Sequence, residues 1–249
     1  MAWAWRVPFA VGLLIVPVAL YIRRHVEEPE VFKEMQAAQA SGKARQIGIM
    51  EMLRTHARET LVGMGLVVTA TVSIYITFTY LVTYATVTLK LPMRDAFMVQ
   101  MAGAALMVVI MPFFGALSDR VGRRMLTIGS LIGYLVVLYP LYAWLTDGPT
   151  VQKLLITQLV VCVFVAVFFG VFSTVMAELF PPQVRSAGMS MAYNVAVMIF
   201  GGFAQFIVTW LIRSTGSPMA PAFYVMFGVT LGLFAAFFIK DRAMERNLR

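Results

Sequence analysis

Seven apolar runs, each 18 to 24 residues long, cover most of this chain: residues 5–22, 61–84, 97–117, 125–145, 154–176, 189–212 and 222–239. At about 1.5 Å of rise per residue, each is long enough to cross about 30 Å of hydrocarbon as an α-helix. A barrel strand would need only about 9–11 residues and would alternate in polarity. The runs therefore predict an all-α membrane fold. Composition agrees. Of the 249 residues, 60% are hydrophobic and 13% charged, against about 45–50% and about 25% in soluble domains. A soluble globule of this size has too much surface to hide that apolar content, and disorder is excluded for the same reason. At roughly 30 residues per helix and loop, the chain has room for seven or eight spans, about half of a twelve-helix carrier.

The connections give an orientation. Residues 23–60, 118–124, 177–188 and 240–249 hold fifteen of the twenty Lys and Arg residues, and the remaining five are Arg6, Lys90, Arg94, Lys153 and Arg213. The positive-inside rule puts the first set in the cytoplasm, with the N-terminus outside and the C-terminus inside. The net charge of +8 then reads as a topology signal and not as a nucleic-acid footprint. The start lacks a basic region followed by a cleavage site, so residues 1–22 read as a span and not as a removable signal. An N-out first span with no loop before it is expected of a piece of a longer reading frame, or of a split or truncated gene.

Metal and redox chemistry find little support. The one cysteine, Cys162, lies inside an apolar run and has no intrachain partner, so it packs as a small hydrophobe. His25 and His56 lie in the polar stretch 23–60, and no HExxH or CxxC spacing exists. No metal or cofactor is expected. An integral membrane enzyme would need His, Asp or Glu clustered at the membrane surface, and the sequence has no such cluster. No enzymatic activity is expected.

The third connection carries a motif: Gly115-Ala-Leu-Ser-Asp119-Arg120-Val-Gly122-Arg123-Arg124. Physically it is a tight turn in which Gly122 permits positive φ, Asp119 can pair with a cation, and the arginines anchor at an anionic leaflet. The pattern G-x-L-x-D-R-x-G-R-R resembles the loop signature of the Major Facilitator Superfamily, found between helices 2 and 3 and more weakly between helices 8 and 9. Glu178-Leu-Phe-Pro181-Pro-Gln-Val-Arg185-Ser-Ala-Gly188, followed by Tyr193-Asn194 and Phe200-Gly201-Gly202, resembles the helix 10–11 region of the metabolite:proton symporter family. Trp5-Arg6-Val-Pro8-Phe9 and Arg23-Arg24-His-Val-Glu27-Glu28-Pro29-Glu-Val-Phe32 resemble that family's helix 6 and its exit. A second proline at 182 departs from the usual pattern.

The resemblance implies a register. Residues 1–22 would be the last helix of the N-terminal bundle, 23–60 the central cytoplasmic loop, 61–239 the C-terminal six-helix bundle and 240–249 a cytoplasmic tail. The opposite register, an N-terminal half with Asp119 between helices 2 and 3, would put the long basic linker near the chain's end, where it is not found. The family carries proline, betaine, 2-oxoglutarate, citrate and shikimate. The resemblance thus implies proton symport of a small carboxylate or zwitterion across a bacterial inner membrane, with small-molecule substrate, protons and lipid as partners. Helices 1 to 5 are missing from this register, which leaves room for a separate N-terminal half, or for a remnant that transports nothing.

Polar residues inside spans mark the candidate pathway, because burying them unpaired is costly. Thr71, Tyr75, Thr79 and Thr83 follow at four-residue spacing, with Tyr80 and Tyr84 beside them; Tyr75, Thr79 and Tyr80 are the candidates. Asn194 and Gln205, eleven residues apart, share a face of an ideal α-helix. Each of these can equally serve helix–helix packing. Gly115, Asp119, Arg120, Gly122, Arg123 and Arg124 are implied as a gate by the resemblance. Glu178 and Arg185 can pair across Pro181-Pro182 or with the Asp119 turn. No span has a central acid or histidine, so a proton carrier is expected in the missing half.

Overall fold

The computed structural model describes Arg6, residues 12–25 and residues 49–239. Most of the 23–60 connection, the 240–249 tail and the first part of the 1–22 span lie outside the described residues. The chain divides into two units, residues 1–47 and 48–249. In the first, the described helix α1 is Ile15–His25, inside the first expected span and running just beyond it.

The second unit is all-helical among its described residues. A short helix, α2 (Ile49–Thr55), leads into α3 (Ala57–Thr88); then follow α4 (Met93–Val121), α5 (Arg123–Thr146), α6 (Val151–Leu179), α7 (Arg185–Thr215) and α8 (Ala220–Ala236). Helices α3 to α7 are each long and apolar enough to cross a membrane, and α8 is a shorter apolar helix. Local chemistry sets the boundaries. Pro92 precedes α4, and Thr150 caps α6 by accepting from the backbone N–H of Lys153 at 3.2 Å. Gly216, at φ 68°, ends α7, and Pro221 lies in the first turn of α8. The helices run beyond the apolar runs at several ends. Residues 118–124, expected as a loop, are helix on both sides of Gly122 alone. Gly122 sits at φ 100°, where a side chain would be strained.

Helices α3 and α6 bury most of their apolar stretches, and α4 and α7 little of theirs. The centre is an aliphatic core in which Leu66, Val67, Val72, Leu131, Leu138, Val165 and Val171 are below 2% exposed. Helix α8 lies against α3 and α5, α4 against α6, and α7 against α3. Small residues allow these close approaches. The Thr69 hydroxyl donates to the Gly228 carbonyl at 2.8 Å, and a Cβ at Gly232 would stand 1.8 Å from the Thr69 oxygen. Gly170 lies against the α4 backbone, where a Cβ would stand 2.8 Å from the Met111 carbonyl and 3.0 Å from the Gly115 nitrogen.

The outside is apolar as well. Met101, Val108, Val109, Phe113, Val136, Phe206 and Phe234 are each at least 65% exposed. So much bare hydrocarbon surface suits lipid or another apolar partner.

Candidate functional site

Helix α3 is not α-helical throughout. Tyr75–Tyr80 and Tyr84–Thr88 are π-helical, as is Val197–Gly201 in α7. The four-residue spacing on α3 and the eleven-residue spacing on α7 both cross such a turn, so the faces expected of ideal α-helices do not carry through. On α3, Thr71 is buried, Tyr75 half-buried, and Thr79 and Thr83 exposed. Tyr80 turns inward at 3% exposure, its hydroxyl 3.1 Å from that of Thr209 on α7. Tyr84 is buried too and donates to the Pro218 carbonyl at 2.8 Å. On α7, Asn194 and Gln205 are both exposed. The Asn194 amide donates to the Ser190 carbonyl of its own helix at 2.8 Å, which leaves its oxygen to accept from another group.

Tyr75 and α7 meet directly. A Cβ at Gly201 would stand 3.0 Å from the Tyr75 ring and 2.8 Å from the Thr71 methyl. Between α6 and α7, near the turn that joins them, lies an open cleft of about 370 Å³ lined by Phe172, Ser173, Met176, Ser190, Tyr193 and Asn194, among others. That volume falls within the range of small-molecule sites. Its named walls offer hydroxyls, one carboxamide, aromatic rings and a thioether, and no charge. It can hydrogen-bond a small polar molecule but cannot neutralise one.

The charges gather at the ends of the helices. Arg123 lies between two carboxylates, 3.0 Å from Asp119 and ion-paired with Glu178 at the end of α6. The arginine side chain is 15% exposed, Asp119 64% and Glu178 39%. The α4–α5 turn is thereby tied to α6, and Glu178 pairs with Arg123 and not across Pro181-Pro182. Arg124 donates to the Phe237 carbonyl at 2.9 Å, closing the end of α8, where Arg58 lies over the Phe238 ring. Arg120 and Arg185 are exposed. At the other end of the bundle, the Lys153 ammonium donates to the carbonyls of Trp144 and Asp147 and caps α5. No group of three His, Cys, Asp or Glu able to hold a metal occurs among the described residues.

Two side chains that the sequence did not single out matter here. Gln158, at 3% exposure, donates its amide to the Thr77 carbonyl at 3.1 Å, and Tyr224 donates its hydroxyl to the Phe200 carbonyl at 2.8 Å. Gln158 did carry a signal, since a carboxamide in an apolar run needs partners. Tyr224 lies near the start of its run, where tyrosine is ordinary.

The chain is similar to known proteins along nearly its whole length. A family model described as "Sugar (and other) transporter" matches residues 21–245. The citrate-proton symporter of Salmonella typhi is 30% identical over 233 residues, which cover 94% of this chain and 52% of that protein. The citrate-proton symporter of Klebsiella pneumoniae is 31% identical over 241 residues, 97% of this chain and 53% of that protein. The proline/betaine transporter of Escherichia coli (strain K12) is 26% identical over 247 residues, 97% of this chain and 49% of that protein. The chain thus spans about half the length of the curated relatives it matches. No solved structure gives a significant match.

Proposed function

The chain belongs to the sugar (and other) transporter family of Major Facilitator carriers, and from that membership we propose that it serves proton-coupled transport of a small carboxylate or zwitterion. The observation that carries this reading is the match over nearly the whole chain to two citrate-proton symporters. The proline/betaine transporter match keeps zwitterions within the substrate class. The bundle α3 to α8 is the C-terminal six-helix bundle, residues 1–22 are helix 6, residues 23–60 the central cytoplasmic loop and 240–249 the tail, giving seven spans. The membrane is a bacterial inner membrane. Fifteen of twenty cationic residues on one set of connections support a cytoplasmic C-terminus and an external N-terminus.

Alternating access moves two bundles about a midplane site. Here Tyr75 and Thr79 of α3, with Asn194 and Gln205 of α7, form one wall of that site, and Tyr80 backs it through Thr209. The partner wall, with the charge that binds protons, belongs to five further helices, on the same polypeptide or on a separate N-terminal half. Glu59, Asp95, Asp119 and Glu178 all lie within the first or last turn of their helices, which supports a proton site outside this bundle. The Asp119–Arg123–Glu178 clamp, with Gly115, Arg120, Gly122, Arg124 and Arg185 around it, is the cytoplasmic gate element, and it holds α4, α5 and α6 together so that this end of the bundle moves as one piece.

The test is uptake of labelled citrate, 2-oxoglutarate, shikimate, proline and betaine into cells producing the protein, alone and with an N-terminal half supplied. One substrate should accumulate, and a protonophore should abolish the accumulation. No gradient-driven uptake of any of them in either arrangement overturns the reading.

A further inference from the structure

Inserting a π turn into an α-helix costs a hydrogen bond. One extra residue is accommodated, and a carbonyl in the widened turn loses its α-helical donor. In hydrocarbon that carbonyl needs a replacement, since water is not at hand. In both the Tyr75–Tyr80 turn of α3 and the Val197–Gly201 turn of α7, a backbone carbonyl accepts a hydrogen bond from a side chain of another helix. Thr77 accepts from Gln158 of α6 at 3.1 Å, and Phe200 accepts from Tyr224 of α8 at 2.8 Å. Each donor comes from a different neighbouring helix, and each is buried, at 3% and 6% exposure.

The two turns also touch, through Gly201 against Tyr75. Beyond them the two helices are joined by the Tyr80 and Thr209 hydroxyls. A π insertion rotates everything that follows by one residue, about 100°. After the turn in α3, Thr83 is exposed and Tyr84 buried; after the turn in α7, Phe203 is exposed and Ala204 buried. In a plain α-helix Thr83 would take the buried place now held by Tyr84, and Phe203 that of Ala204.

We propose that Gln158 and Tyr224 are positioning residues of the transport pathway: each holds a π turn open in a wall helix and so fixes which side chains the distal halves of α3 and α7 present to the cavity. The proposal rests on the reading of α3 and α7 as the wall. It goes beyond that reading in naming what sets the wall's register. Neither residue touches substrate. Gln158 supplies an N–H and Tyr224 an O–H to a backbone carbonyl, and the rotation of the helix does the rest.

The experiment reads register directly and needs no transport. In the purified full chain, with Cys162→Ala as background, Thr83→Cys or Phe203→Cys is reacted with N-ethylmaleimide. Both should label readily. Adding Gln158→Met, which keeps the side chain's length without a donor, should slow Thr83→Cys labelling about tenfold as that position turns inward. Tyr224→Phe, which removes one oxygen and should fold in any case, should do the same to Phe203→Cys. In uptake assays the same two substitutions should raise KM with little change in maximal rate. Unchanged labelling in folded protein overturns the proposal. The wall reading fails separately: if Thr79→Cys modified by a bulky maleimide leaves uptake untouched, α3 is not a pathway wall, whatever the labelling shows.

Discussion

Arg123 shows how much one side chain's surroundings matter. It faces two carboxylates that differ in exposure, Asp119 at 64% and Glu178 at 39%. An exposed i,i+4 pair contributes about 0.3–0.5 kcal/mol, whereas an arginine left buried without its partner is costly. Asp119→Asn should therefore change stability by less than about 0.5 kcal/mol, and Glu178→Gln should lower it by about 1–2 kcal/mol. Thermal unfolding can be followed with a thiol-reactive fluorophore, because Cys162 is the one cysteine and is buried. Equal effects of the two substitutions would contradict the geometry. The same assay tests the α3–α8 seam. Gly232→Ala puts a methyl into the Thr69 hydroxyl and should cost about 1–3 kcal/mol through overpacking. Thr69→Ala in the same chain should recover part of that loss. The candidate residues were legible as residues because polar side chains stand out in apolar runs. Their partners were not. Glu178 had four possible cations in the sequence, Arg185 across the prolines and Arg120, Arg123 and Arg124 in the Asp119 turn, and only the fold brings Arg123 to it.

At the level of the element, Gly122 is the one non-helical residue between two long helices. Its φ of 100° makes Gly122→Ala destabilising by about 1–2 kcal/mol. Gly129, within α5, is the control, because a Cβ there would meet nothing within 4 Å. Gly129→Ala should stabilise by about 0.5–1 kcal/mol. If both substitutions behave alike under thermal unfolding, the turn does not need a glycine. The six apolar runs from residue 61 onward were legible as helices, because hydrocarbon thickness fixes their length. Their ends were less so, since helices continue past the membrane wherever caps and turns allow. The π turns were not legible at all. Nothing in the order of Tyr, Ile, Thr and Phe over residues 75–80 distinguishes a π turn from an α turn, and the side chains that hydrogen-bond the π turns of α3 and α7 sit on other helices.

For the whole molecule, the distribution of cations predicts sidedness. Green fluorescent protein fused after residue 249 should fluoresce, and alkaline phosphatase fused within residues 147–150 should be active. The reverse result would invert the orientation. The bundle has an apolar skin and an aliphatic centre, with its described acids near helix ends, an arrangement in keeping with the proposed pathway wall and with a proton site outside this bundle.

The sequence by itself determined that this chain is helical, that it belongs in hydrocarbon, which connections carry its positive charge and which family it resembles. All of these follow from composition, run length and local motif, and none needs a contact distant in sequence. The tertiary structure alone decided the π turns of α3 and α7, the inward turn of Tyr80 and the choice of Glu178 by Arg123. Each meets a donor or acceptor supplied by another helix, Gln158 and Tyr224 at the π turns, Thr209 at Tyr80 and Glu178 at Arg123, and the spacing of residues along one helix does not specify such long-range partners.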